Sequence, residues 1–199
     1  MYHFHFNKGT VYLPTKKHEN IPVIISGYDW DNNHWAKRTN EDLRDHAIKL
    51  IQGVGFVRMD MYQSMPHRWE KDFADMLAWV RVRNFANPGK VGIFAYGSPA
   101  LAALKIANRE ENLAFIVATL TPDELSNADI VPLCPTLLLQ GTTDKVTLQM
   151  GTPPPVKLTS HQDTGSKITR IVFNESDYFL YNASRQAAEE IVKWIKSIT

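Results

Sequence analysis

Lys90-Val91-Gly92-Ile93-Phe94-Ala95-Tyr96-Gly97-Ser98-Pro99-Ala100-Leu101 runs from a short apolar stretch through a small-residue turn into an alanine- and leucine-rich segment. It reads as a strand, Lys90–Ala95, joined by a tight turn to a helix over Pro99–Asn108. Outward from it the same alternation recurs. Further strands are expected at Val11–Leu13, Pro22–Ser26, Phe56–Met61, Ala114–Leu120, Thr136–Gln140 and Lys167–Phe173. Val23-Ile24-Ile25 and Leu137-Leu138-Leu139 are apolar on both faces, the mark of a parallel sheet covered by helices. Between them lie windows of helical period. In Asn40–Gln52 the residues Leu43, Ala47, Leu50 and Ile51 share a face, with Asn40 placed to cap the start. Arg68–Arg83 repeats Trp69, Phe73, Met76, Leu77 and Val80, and Ser184–Ser197 repeats Ala187, Ala188, Ile191, Val192 and Ile195. These stripes read as core rather than as a cofactor box. Strand and helix in alternation predict an α/β fold, a three-layer α/β/α sandwich on a mainly parallel sheet with right-handed crossovers.

Length and composition narrow the classes. The 199 residues suit a single domain, 1–199, with a core that needs neither disulfide nor metal. Met150–Pro155 reads as a surface loop, because too little chain follows it for a second domain. The formal net charge is +1, so no global field recruits nucleic acid. The lone Cys134 has no partner for a disulfide or a thiolate zinc cluster. The start lacks a secretory pattern and no later run approaches the roughly twenty apolar residues of a membrane span. A cytoplasmic protein is the expectation, with no membrane and no nucleic-acid partner; an oligomer is compatible with it.

In open α/β sheets ligands bind beyond the carboxyl ends of the strands. The residues there are Ser26-Gly27-Tyr28-Asp29-Trp30, Asp60 with Met61 and Tyr62, Tyr96-Gly97-Ser98, Gly141-Thr142-Thr143-Asp144, and Glu175-Ser176-Asp177-Tyr178-Phe179. With the order and spacing of these segments the chain resembles the α/β-hydrolase superfamily, most closely its small dienelactone-hydrolase-like members. Cys134-Pro135-Thr136-Leu137-Leu138-Leu139-Gln140-Gly141-Thr142-Thr143-Asp144 is similar to the family strand that presents the acidic triad member. Val91–Leu101 is similar to its strand, nucleophile elbow and helix. The resemblance runs from Ile21 onward and implies a bare hydrolase core without a cap domain.

The family elbow is small-x-nucleophile-x-small, and the resemblance sets Ala95 and Pro99 at its flanks and Gly97 at the nucleophile. Glycine holds the strained turn without supplying an attacking group. A register on Ser98 instead sets bulky Tyr96 at the first flank, and a serine before a helix-starting proline reads as an N-cap. Asp177 stands where the family has its histidine, and a carboxylate of ordinary pKa is a poor base for a hydroxyl. Asp144 retains the acid position with no histidine to orient. The triad positions thus read Gly97, Asp144 and Asp177.

Three functions compete. The first is a pseudoenzyme whose cleft, edged by Tyr28, Asp29, Trp30, Asp60, Tyr96, Tyr178 and Phe179, binds a small apolar or aromatic ligand or a protein partner. The second is an active carboxylic-ester or lactone hydrolase with Ser98 as nucleophile and His34 or His67 as base. The third, a metal-dependent hydrolase on Asp29, Asp60, Asp144 and Asp177, is weaker, since strand-end aspartates also cap loops. No metal and no cofactor is assigned. No glycine fingerprint supports a dinucleotide. His161 and the Asn108–Asn112 turn read as solvated, and Cys134 as a small buried hydrophobe.

Overall fold

Apolar residues on both faces of consecutive strands force the sheet into the middle of the molecule, and that is where it lies. The computed structural model describes residues 2–14, 19–28, 45–46, 49, 51, 53–59, 66–96, 99–119, 132–141, 167–173, 176, 180 and 183–198. The strands are β1 (Tyr2–Phe6), β2 (Gly9–Leu13), β3 (Ile21–Tyr28), β4 (Gly55–Met59), β5 (Ala86–Tyr96), β6 (Ile116–Thr119), β7 (Thr136–Gly141) and β8 (Ile168–Phe173). The helices are α1 (Trp69–Arg81), α2 (Pro99–Ala107) and α3 (Ser184–Ile198), and a one-turn 3-10 helix over Pro66–Arg68 leads into α1. All eight strands form one sheet in the order β1-β2-β4-β3-β5-β6-β7-β8. β2 pairs antiparallel with both β1 and β4, and every other pair is parallel. A sheet of this kind, between helical layers, is the expected α/β/α sandwich.

Alternation along each strand sends side chains to two separate cores. Val23, Ile25, Val57, Val91, Ile93 and Ala95 pack toward α1 and α2. Ile24, Phe56, Phe94, Tyr96, Leu137 and Leu139 pack toward α3. The buried residues of α1 are Trp69, Phe73, Met76, Leu77 and Val80, and those of α3 are Ala187, Ala188, Ile191, Val192 and Ile195. Both stripes are those read from the sequence. α2 is buried nearly all round, at Pro99, Ala100, Ala102, Ala103, Leu104, Ile106 and Ala107, as befits small residues wedged between sheet and α1.

Two glycines allow close approach. A Cβ on Gly92 would lie 2.5 Å from the Phe115 ring, which fills the space over β5 on the α3 side. At Gly9 (φ +156°) a Cβ would meet the Arg58 carbonyl oxygen at 1.9 Å, so the hairpin of β1 and β2 reaches β4 only because Gly9 has no side chain.

Several boundaries differ from expectation. β1 is a strand that the sequence reading did not assign; Tyr2, Phe4 and Phe6 are half-buried while His3 and His5 face solvent. β5 begins at Ala86 rather than Lys90, because Ala86 pairs with Ile21 ahead of a register shift. β6 starts at Ile116, two residues inside the expected strand. Of the expected helix over Asn40–Gln52, Asp45, His46 and Lys49 are helical and most other positions lie outside the described residues, as does Met150–Pro155. No helix among the described residues is long and apolar enough to cross a membrane.

Candidate functional site at the carboxyl edge of the sheet

Parallel strands end together, and this fixes where chemistry can gather. β3 and β5 finish in register, with Tyr28 paired to Tyr96. Beside them, Ala95 pairs with Ala118, Thr119 with Leu139, and Gly141 with Phe173. Asp29 follows the end of β3 in sequence, Asp60 the end of β4, and Gly97 and Ser98 the end of β5. Asp144 comes three positions after β7 and Asp177 four positions after β8. Tyr28 closes β3. Asp29, Trp30, His34, Asp60, Gly97, Ser98, Asp144, His161, Asp177, Tyr178 and Phe179 lie outside the described residues.

Tyr96 takes a different place from the one expected of it. It is 2% exposed and belongs to the core beneath α3, with Phe94 and Leu139, so it is a packing residue rather than part of an open rim. The cause is strand parity. Ala95 points to the α1–α2 layer, so the next side chain must point to α3. His67 sits exposed on the 3-10 turn that follows β4.

Cys134 is a buried packing residue on the α1–α2 side. Burial pushes its thiol above the ordinary range, a shift that the hydrogen bonding with Thr136 only partly opposes. A thiol held neutral is no nucleophile at physiological pH. Its carbonyl accepts a 3.1 Å hydrogen bond from the Thr136 hydroxyl, which fixes the entry into β7.

Two features near the end of β8 went unread in the sequence. Ser176 is buried, and its hydroxyl has no hydrogen-bond partner among the described residues. Leu180, fully buried, adopts φ 53°, a conformation that costs a leucine about 1 kcal/mol or more. Both flank the position of Asp177. A serine between two acidic residues carries no signal of burial, and a left-handed leucine carries none at all.

On the opposite, amino-terminal edge of the sheet lies a cavity of about 380 Å³, lined by Arg81, Pro88, Gly89, Glu111, Asn112 and Leu113. Arg81 is tied down there, bonding Glu110 at 3.0 Å and the Asn112 carbonyl at 3.1 Å. The Asn108–Asn112 turn, expected to be merely solvated, is thus anchored to α1.

No family model matches the chain, and no curated protein does. Solved structures do. An α/β-hydrolase candidate of unknown function from Agrobacterium tumefaciens superposes with a TM-score of 0.72 at 14% identity, over 98% of this chain and 94% of that one. A dienelactone hydrolase from Anabaena variabilis gives a TM-score of 0.68 at 14% identity, over 96% and 91%. A hyperthermophilic esterase from Pyrobaculum calidifontis gives 0.62 at 14% identity, over 96% and 82%. The chain has the α/β-hydrolase fold. Within that class it resembles the dienelactone-hydrolase-like proteins.

Proposed function

We propose that this chain is a hydrolase-fold binding protein whose elbow carries glycine where a hydrolase carries its nucleophile. The register of that elbow carries the reading. β5 ends at Tyr96 and α2 begins at Pro99, which leaves two residues, Gly97 and Ser98, for the turn. Ala95, small and buried, suits the tight first flank, and Tyr96 is already committed to the α3 core. Counting from these two, the elbow tip falls on Gly97. Asp177 at the base position reinforces the reading, because its carboxylate does not deprotonate a hydroxyl near neutral pH. The ligand proposed is a small apolar or aromatic molecule held among Tyr28, Trp30, Tyr178 and Phe179; a protein partner is the other occupant of the same edge. The test is p-nitrophenyl acetate turnover by wild type and Ser98→Ala. Both are expected to match buffer, while small aromatic acids quench tryptophan fluorescence of both proteins alike.

A second reading is an active carboxylic-ester or lactone hydrolase, favoured by the esterase and dienelactone hydrolase among the structural neighbours. It assigns Ser98 as nucleophile and His34 or His67 as base. Turnover that disappears in Ser98→Ala would establish it and remove the first.

A further inference from the structure

We propose that His3 and His5 form a binding site for one borderline transition-metal ion, Zn²⁺ or one like it, on the outer strand of the sheet. Residues two apart on a strand share a face, and here both imidazoles stand exposed on the same side of β1. Their ring centroids are 5.7 Å apart. Two imidazoles on one tetrahedral ion, with Zn–N bonds of about 2.0–2.1 Å, hold their centroids roughly 5 Å apart. A small rotation of the exposed His3 side chain closes that gap.

One ligand is already oriented. His5 Nδ1 lies 2.9 Å from the Thr10 hydroxyl oxygen, and Thr10 is 1% exposed, so its position is fixed by the sheet. The same oxygen accepts a 3.3 Å hydrogen bond from Arg58. The tautomer in which Nδ1–H donates to Thr10 leaves the lone pair of His5 on Nε2, available to an ion. This is the outer-shell arrangement that fixes tautomer and direction in histidine metal sites.

The surroundings also select the ion. No third His, Cys, Asp or Glu converges on the pair among the described residues, so water fills the remaining positions. The nearest fixed charge in this network is the Arg58 guanidinium behind Thr10, which is positive. Hard cations that depend on carboxylate oxygens gain nothing here. Ions that bond imidazole nitrogen do. The pair lies on the outermost strand, with β2 between it and β4, and neither histidine is among the residues read for the strand-end site.

The experiment is calorimetric titration of the tag-free 199-residue chain with zinc chloride, and in parallel with magnesium chloride. One Zn²⁺ per chain and no Mg²⁺ is expected. His3→Gln and His5→Gln are each expected to weaken zinc affinity by about tenfold or more, because one imidazole loses the chelate. Thr10→Val is expected to weaken it by about tenfold through loss of the outer-shell bond, with its fold checked by circular dichroism. The melting temperature of wild type should rise with zinc, and that of His3→Gln should not. Absence of zinc binding at millimolar concentration, or an affinity unchanged in either histidine variant, overturns the site.

Discussion

At Gly92 the space a side chain would need is already taken. The Phe115 ring occupies it, and Phe115 in turn meets Trp194 of α3 edge to face, with centroids 6.1 Å apart. Trp194 also donates a 3.2 Å hydrogen bond to Thr169 of β8. A single missing Cβ therefore lets β5, β8 and α3 close on one another. Gly92→Ala should cost about 1–3 kcal/mol in urea unfolding, the usual penalty of overpacking a closed core. In a Phe115→Ala background the same substitution should cost much less, and equal costs in the two backgrounds would refute the contact. Cys134 gives a second residue-scale prediction. Its thiol is raised by burial, so the neutral form is favoured by folding. That contribution is complete below the unfolded thiol's value of about 8.5 and is lost as pH rises through the folded value. Wild type should lose stability relative to Cys134→Ala above about pH 8.5. Thiol labelling at pH 8 should be slow in buffer and should accelerate with urea in step with unfolding.

At the scale of elements, the ties around α1 show which polar contacts hold. Arg81 joins the C-terminal end of α1 to the turn before β6 through Glu110 and the Asn112 carbonyl. Glu70, in the first turn of α1, bonds Lys105 of α2 at 3.0 Å and Arg109 at 3.4 Å. Arg81 is only 22% exposed whereas Arg109 is 72% exposed, and screening decides between them. Arg81→Ala should destabilise by about 1–2 kcal/mol and Arg109→Ala by no more than about 0.5 kcal/mol, both read by urea denaturation. Helices such as α1 and α3 were legible because five apolar residues at helical spacing leave one way to bury them. β1 was not assigned, although Tyr2-His3-Phe4-His5-Phe6 alternates and Gly9 follows a two-residue turn; an edge strand, half-buried on one face, lacks the continuous apolar run of β3 or β7. The early part of β5 was hidden by Asn87-Pro88-Gly89, a largely exposed stretch inside the register shift against β3, where the Gly89 N–H donates to the Asn87 side chain at 3.1 Å. Of the candidate site, Cys134 was legible as packing, but the burial of Tyr96 was not. Which helical layer closes over a strand-end side chain is decided by strand parity and topology, not by local sequence.

For the whole molecule, the proposed function rests on the sheet delivering several strand ends to one edge, as β3 and β5 do through the Tyr28–Tyr96 pair. In a fold of this kind the chemistry is set by a few residues beyond those ends while the scaffold persists. The proposed loss of catalysis therefore has a direct reversal. On the proposed assignment, Gly97→Ser supplies a hydroxyl at the elbow, and Asp177→His supplies a base for Asp144 to orient. In ester cleavage the hydroxyl oxygen bonds the acyl carbon, its proton passes to the imidazole, and the alkoxide or phenolate leaves. Neither substitution suffices alone, because serine without a base and a base without serine both leave the attack uncatalysed. The double variant should hydrolyse p-nitrophenyl acetate about 10²-fold faster than Gly97→Ser alone, the low end of what a positioned general base contributes. The rate should fall as pH drops below about 6.5, where an ordinary histidine takes up a proton and ceases to act as base. Adding Asp144→Asn should remove most of that gain. A double variant no faster than either single one would mean that Gly97 or Asp177 does not occupy its triad position, and the binding-protein reading would lose its support.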